Sequence, residues 1–404
     1  MPAPQTQPLH LSGFTLSSCL GHGLTATRDA LQAARTGLSS APFETVDLPA
    51  FIGQVSGVDD VVLPADLSGF DCRNNRLGWL ALQQDGFVEQ VRAARARYGA
   101  QRVGVFLGTS TSGILQTEIG YRHLDASGHL PADFDYARTH NTYSIAAFVR
   151  QVFDLHGPAV AVSTACSSSA KVFGNAQRLI AAGLIDAAIV GGVDSLCLTT
   201  LYGFHSLQLL STDLCRPYDA QRQGLSIGEA AAFALLERAD ANAAAGDDIM
   251  LAGVGESADA HHMSAPHPEG LGARLAMQGA LTQAGWQTSD VDYINLHGTA
   301  TPSNDAAEGK AVAGLFGNAT PCSSTKGATG HTLGAAGGAE AVISALAMRH
   351  QFMPGGVNTQ ELDPTIPVNY LIANREAPVR RVLSNSFGFG GTNCSLALCR
   401  REAL

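Results

Sequence analysis

The sequence predicts an α/β protein made of two halves that echo each other, and three observations carry that expectation. Strand-like apolar runs alternate with stretches of helical periodicity along the chain. Hydrophobic residues fill 45% of the 404 positions and charged residues only 15%, so a large interior sits behind little polar surface. Similar turns also follow strands in the same order in both parts. Leu107 to Ser112 resembles His297 to Pro302, and Ser163 to Ser167 is loosely matched by Cys322 to Lys326.

The first half is expected over residues 9–248, after a flexible tail at 1–8, and the second over 249–404. The Ala-rich, charged stretch from Glu237 to Asp248 is the best boundary. Strands are predicted at Leu9 to Leu16, Val103 to Leu107, Ala159 to Ser163, Ala187 to Val190 and Ala231 to Leu236. The second set is Met250 to Val254, Tyr293 to Leu296, Val382 to Asn385 and Cys394 to Leu398. The interval from Gly108 to Cys166 exceeds its counterpart, which predicts an insertion near 113–150. Forty-four glycines suit many tight strand-to-helix turns.

A net charge of −10 argues against nucleic acid as a partner, because nothing offsets phosphate repulsion. The eight cysteines form no CxxC pair and no metal-ligand spacing, as expected of free thiols in a reducing compartment. Met1 to Pro8 lacks the basic and apolar regions of a signal peptide. The apolar stretch from Leu179 to Val193 is broken by Asp186 and glycines before membrane-spanning length. A cytoplasmic protein without membrane contact is therefore expected. Low charge leaves room for a large subunit interface, with a homodimer as the default.

Cys166 follows the β-branched run Ala159 to Ser163, which reads as an inner strand, and precedes a helix marked by Val172, Phe173, Ala176, Leu179 and Ile180. A thiol at a helix start faces free N–H groups that favour thiolate. For a lone cysteine a buried structural role is the commoner one. Other segments change that weighting, because they too set reactive side chains at strand ends in glycine-rich turns. They are Asn295 to Pro302, Ser324 to His331 and Asn385 to Asn393.

Together with Val162 to Ser169, these segments resemble the β-ketoacyl synthase family, the condensing enzymes of fatty-acid and polyketide synthesis, on the thiolase-like fold. The resemblance runs from Gly13 to the last strand. It implies two pseudo-duplicated halves packed in α-β-α-β-α layers. It implies elongating ketosynthase chemistry, in which Cys166 takes an acyl chain from acyl carrier protein and malonyl-acyl carrier protein is then decarboxylated. On the resemblance, the N–H groups of Cys166 and Phe389 form the oxyanion hole, and His297 and His331 stabilise the enolate. Lys326 orients the second histidine, and Glu308 is expected to pair with that lysine, since an unpaired buried ammonium is costly. Thr299 and Thr301 contact the pantetheine arm, Phe389 gates the acyl pocket with Phe387 behind it, and Thr111 stands near the chain-length pocket. Arg73 and Arg76, three apart on a helix, are expected to dock the acidic carrier.

No cofactor of the enzyme's own is expected, the 4′-phosphopantetheine arriving on the carrier. No metal is assigned to His261, His262 and His267 either, since their spacing matches no metal site. The Cys/His/His set separates the chain from initiation-type and chalcone-type enzymes, which carry an asparagine in place of one histidine. Degradative thiolases use a second cysteine as base, and Cys394 lies outside that motif. A non-catalytic chain-length factor is the remaining alternative, and such proteins usually lack the nucleophile. A heterodimer with one is the second expectation for assembly. The Gly108 to Gly113 loop departs from the glycine-rich form of housekeeping enzymes, which suggests an altered acyl tunnel.

Overall fold

The computed structural model describes residues 7–239 and 248–404. Most of the N-terminal tail and the core of the proposed boundary (residues 240–247) lie outside the described residues.

The first half contributes strands β1 (Leu9–Ser18), β2 (Val103–Gly108), β3 (Ala159–Val162), β4 (Ala187–Asp194) and β5 (Ala230–Arg238). The second half contributes β6 (Ile249–Ala258), β7 (Tyr293–Asn295), β8 (Pro321–Ser323), β9 (Arg381–Gly388) and β10 (Thr392–Arg400). Side by side the first set runs β3-β2-β4-β5-β1 and the second β8-β7-β9-β10-β6. Both are the order 3-2-4-5-1, with the first, fifth and fourth strands antiparallel and the others parallel. This repeated order is the duplication that the echoing turns predict. The sets join where Leu9, His10 and Leu11 pair with Leu251, Met250 and Ile249.

Strand periodicity of two builds the layers. On β2, Val103, Val105 and Leu107 point outward into a core with α1 (Arg73–Leu82), α2 (Phe87–Tyr98) and α4 (Ser144–Val152). Phe106 points the other way, into a central core with α5 (Ser168–Ala181) and α9 (Ala336–His350). That core is shared, because Val382, Leu396 and Leu398 enter it from the second half. Beyond the second half, α7 (Leu271–Ala284) and α8 (Pro302–Phe316) cover Ile294, Leu383 and Ala397. The result is α-β-α-β-α. The long interval after β2 holds α3 (Ile114–Arg122) and α4.

One strand departs from expectation. β3 is an edge, not an inner strand: among the described residues it pairs only with β2, and Val160 is 38% exposed. Apolar composition reports that a surface wants covering, and it does not report whether the cover comes from the same chain.

Candidate active site

Two loops after equivalent strands face each other across the central layer. After β3 the chain turns through Ala165, whose φ of 52° is in the left-handed region that non-glycine residues rarely occupy. Cys166 then stands just before α5 and is buried. After β7 comes His297, and after β8 come Lys326 and His331. The reactive atoms of Cys166, His297 and His331 all lie within 4.8 Å of one another. Cys166 Sγ is 2.9 Å from His331 Nε2, and the two imidazole rings meet edge to face at 5.3 Å.

Lys326 corrects the sequence expectation twice. Its Nζ donates to the carbonyl of His297 at 2.6 Å and faces His297 Nδ1 at 3.4 Å. It therefore orients the first histidine, not the second. Its carboxylate partner is Glu340 on α9, not Glu308. Glu308 instead accepts the N–H groups of His297 and Gly298, each at 2.8 Å, and the Asn385 amide at 3.2 Å. Motif matching misled here: Glu308 lies eighteen residues from Lys326, whereas Glu340, fourteen residues away and outside the recognised motifs, reaches it from the next helix. A sequence signal for Glu340 does exist, since it is the sole charge in the buried run from Ala336 to Met348.

These contacts assign the imidazoles. An ammonium facing His297 Nδ1 puts that ring's proton on Nε2, which makes it a donor toward the cleft. Burial first, then the Lys326 charge and His331, hold His297 well below the ordinary histidine value, so it stays neutral. Burial and Lys326 do the same for His331. Its Nδ1 finds no partner among the described residues, so neither tautomer is locked.

The thiol is not preactivated as its helix-start position suggests. Burial pushes Cys166 up to about 11, against the downward pull of Lys326 and the N–H groups of Phe389 and Cys166 itself. Desolvating the thiolate outweighs those donors. The resting pair is thiol and neutral imidazole, and the proton has a 2.9 Å path to His331.

The cleft above Cys166 has an empty volume of about 540 Å³ including its mouth. Thr299, Thr301, Phe387 and Phe389 line it, with Phe204, Leu209 and Leu225 across from them. Phe389 stacks on Phe204 of α6 (Leu198–Ser206) at 5.6 Å, and its loop is tied to the 259–268 segment. There the Gly390 N–H donates to the Met263 carbonyl at 2.7 Å and the Asp259 N–H to that of Gly391 at 2.8 Å. The His261 and His267 rings of this segment lie 5.2 Å apart, centroid to centroid.

Two further expectations do not survive. The Thr111 hydroxyl donates to buried Asp194 at 2.8 Å, and Thr111 is absent from the cleft lining. Asp194, which sequence reading missed, gathers the loop after β2: it also accepts from the Thr109 hydroxyl and the Ser110, Thr111 and Gly334 N–H groups. Arg73 is buried, gripped bidentately by Glu229 at 2.6 and 2.9 Å and by Asp59 at 2.6 Å, so it offers a carrier nothing. Arg76 is partly exposed and already paired with Asp71. α1 is packed on several faces, so three-residue spacing did not mark a surface stripe.

Comparison with known proteins gives the family. Residues 69–242 match the family described as beta-ketoacyl synthase, N-terminal domain, and residues 249–360 match the C-terminal domain. The 3-oxoacyl-[acyl-carrier-protein] synthase 2 of Vibrio cholerae is 31% identical, over 96% of this chain and 98% of its own. A chain of the complex of the ketosynthase ApeO with its chain length factor ApeC from Xenorhabdus doucetiae superposes with a TM-score of 0.88 at 38% identity. It covers 99% of this chain and 100% of its own. The ishigamide ketosynthase/chain length factor gives 0.87 at 27% identity, over 98% and 99%. With its duplicated thiolase-like fold and its Cys166, His297 and His331 at the strand ends, the chain belongs to the β-ketoacyl synthase family.

Proposed function

We propose that the protein is an elongating 3-oxoacyl-[acyl-carrier-protein] synthase, joining a Cys166-bound acyl chain to malonyl-acyl carrier protein with loss of carbon dioxide. The observation that carries this reading is the 2.9 Å contact between Cys166 Sγ and His331 Nε2 beside a Lys326-fixed His297.

Acyl transfer begins when an acyl thioester enters and the Cys166 proton passes to His331. The thiolate attacks the carbonyl, and the N–H groups of Cys166 and Phe389 hold the oxyanion. Collapse expels the pantetheine sulfur, which takes the proton back from His331. The malonyl thioester then occupies the cleft with its carbonyl oxygen toward the histidines. As the carboxylate leaves as carbon dioxide, its electron pair forms an enolate, which accepts hydrogen bonds from His297 Nε2–H and from the Nε2–H tautomer of His331. The enolate carbon attacks the acyl-Cys166 carbonyl, and Cys166 leaves as thiolate and takes up one proton from solvent, the proton that the overall condensation consumes. No cofactor of the enzyme's own enters these steps. The phosphopantetheine arm comes with the carrier and runs past Thr299 and Thr301.

A second observation favours assembly as the catalytic half of a ketosynthase–chain length factor pair. The half-exposed β3 edge suits a partner subunit, and two of the similar structures are ketosynthase–chain length factor assemblies. Mass spectrometry of the intact protein after incubation with acyl-carrier protein tests the reaction, with an acyl adduct expected on Cys166. Absence of any Cys166 adduct from every thioester length overturns it. Light scattering on the chain alone and co-produced with a chain length factor tests the assembly.

A further inference from the structure

We infer that Ser167 and Thr392 form a hydroxyl latch that sets the spacing of the two oxyanion-binding N–H groups; the inference rests on the acyl-transfer reading above. Both are positioning residues, and neither lines the cleft.

The two N–H groups come from separate parts of the chain. That of Cys166 belongs to the turn after β3 and that of Phe389 to the end of β9, and these strands are not neighbours in the sheet. No ladder of strand hydrogen bonds therefore fixes their separation. What joins the two turns is a contact of 2.6 Å between Ser167 Oγ and Thr392 Oγ1. Both hydroxyls also reach one acceptor, the Thr164 carbonyl, at 2.9 Å from Ser167 and 3.1 Å from Thr392. Two hydroxyl protons serve this triangle: one goes to the carbonyl and the other bridges the hydroxyls. The same carbonyl precedes Ala165, the residue held at positive φ, so the latch also braces the strained turn.

The approach is close enough to need a glycine. A Cβ on Gly388 would stand 2.9 Å from the Thr164 oxygen and 3.2 Å from the Cys166 nitrogen. On its far side the Phe389 loop is tied by backbone bonds to the 259–263 segment. Thr392 is the tie on the nucleophile side.

Thr392→Val keeps the shape and removes the hydroxyl, and Thr392→Ser keeps the hydroxyl. Two rates are measured by intact-protein mass spectrometry: acyl transfer from an acyl thioester, and alkylation by iodoacetamide. The first passes through an oxyanion and the second does not. Thr392→Val is expected to slow acyl transfer about 10- to 100-fold and change alkylation by less than about threefold. Thr392→Ser is expected to restore the transfer rate. Unchanged transfer in Thr392→Val, or equal loss of both rates, overturns the latch. If the valine variant melts before assay, Ser167→Ala removes the other hydroxyl and is read by the same two rates. A wild type that alkylates at Cys166 and never acylates there overturns the proposed function itself, a distinct result.

Discussion

The two halves share a strand order and use it for opposite chemistry. In each, the loops after the second and third strands reach the central layer. The first half fills them with Cys166 and with a loop gathered on the buried carboxyl of Asp194. The second fills them with His297, Lys326 and His331, and holds the His297 backbone on Glu308. In the proposed reaction, one scaffold, copied, supplies the covalent acceptor on one side and the hydrogen-bond donors on the other. The divergence lies in loops, where substitution does not disturb the ladders.

That division predicts which step each substitution stops. Cys166→Ala should abolish both acyl transfer and condensation, by more than about 10⁴-fold. Residual condensation within tenfold of wild type would break the assignment of the halves. His297→Ala should slow decarboxylation by roughly 10²–10³-fold while Cys166 still acylates, read by carbon dioxide release beside the adduct mass. Loss of acylation to the same degree would mean that the halves do not separate the steps.

The anchoring carboxylates give a smaller, matched pair. Asp194→Asn turns an amide donor toward N–H and O–H donors, and should lower stability by roughly 2–4 kcal/mol in urea unfolding. Glu308→Gln, with fewer partners, should lower it by roughly 1–3 kcal/mol. A larger loss for Glu308 would reverse the ranking of the two loops.

The smallest effect is on pH. His331 must be neutral to accept the thiol proton, and its value lies well below 6.5. Acylation should therefore persist as pH falls through 6.5 and fail only in more acid solution. Lys326→Met removes a charge that depresses His331, so the acid limb should move upward. A limb that stays in place would remove Lys326 from His331's electrostatics.

Much of this was legible in the residues, and its limits are physical. Strand-end motifs reveal which reactive groups lie in turns, because a glycine-rich turn after an apolar run has few other readings. The chain could therefore be divided into halves, and Cys166 placed in the turn between a strand and a helix. Pairing was not legible: Lys326 chooses Glu340, which stands outside the recognised motifs, over the motif carboxylate Glu308. Neither was orientation, as Arg73 and Thr111 turn inward to carboxylates that spacing alone cannot locate. The thiol's state depends on burial, which outweighs the helix-start donors only once the central layer closes over it. Short β8 was missed because its Pro321, Cys322 and Ser323 offer no apolar run.

The edge at β3 bears on how such a chain is handled in a cell. Natural sheet edges are commonly blunted by lysine, proline or a bulge, and Ala159–Val162 has none of these within it. Left alone, that strand is an open template for any extended segment, including its own copies. It runs within four residues of Cys166, so wrong pairing would reach the nucleophile turn as well as solubility. Overproduction without a subunit to cover the edge should therefore yield precipitate or self-associated protein, and matched synthesis with a partner should rescue both yield and turnover.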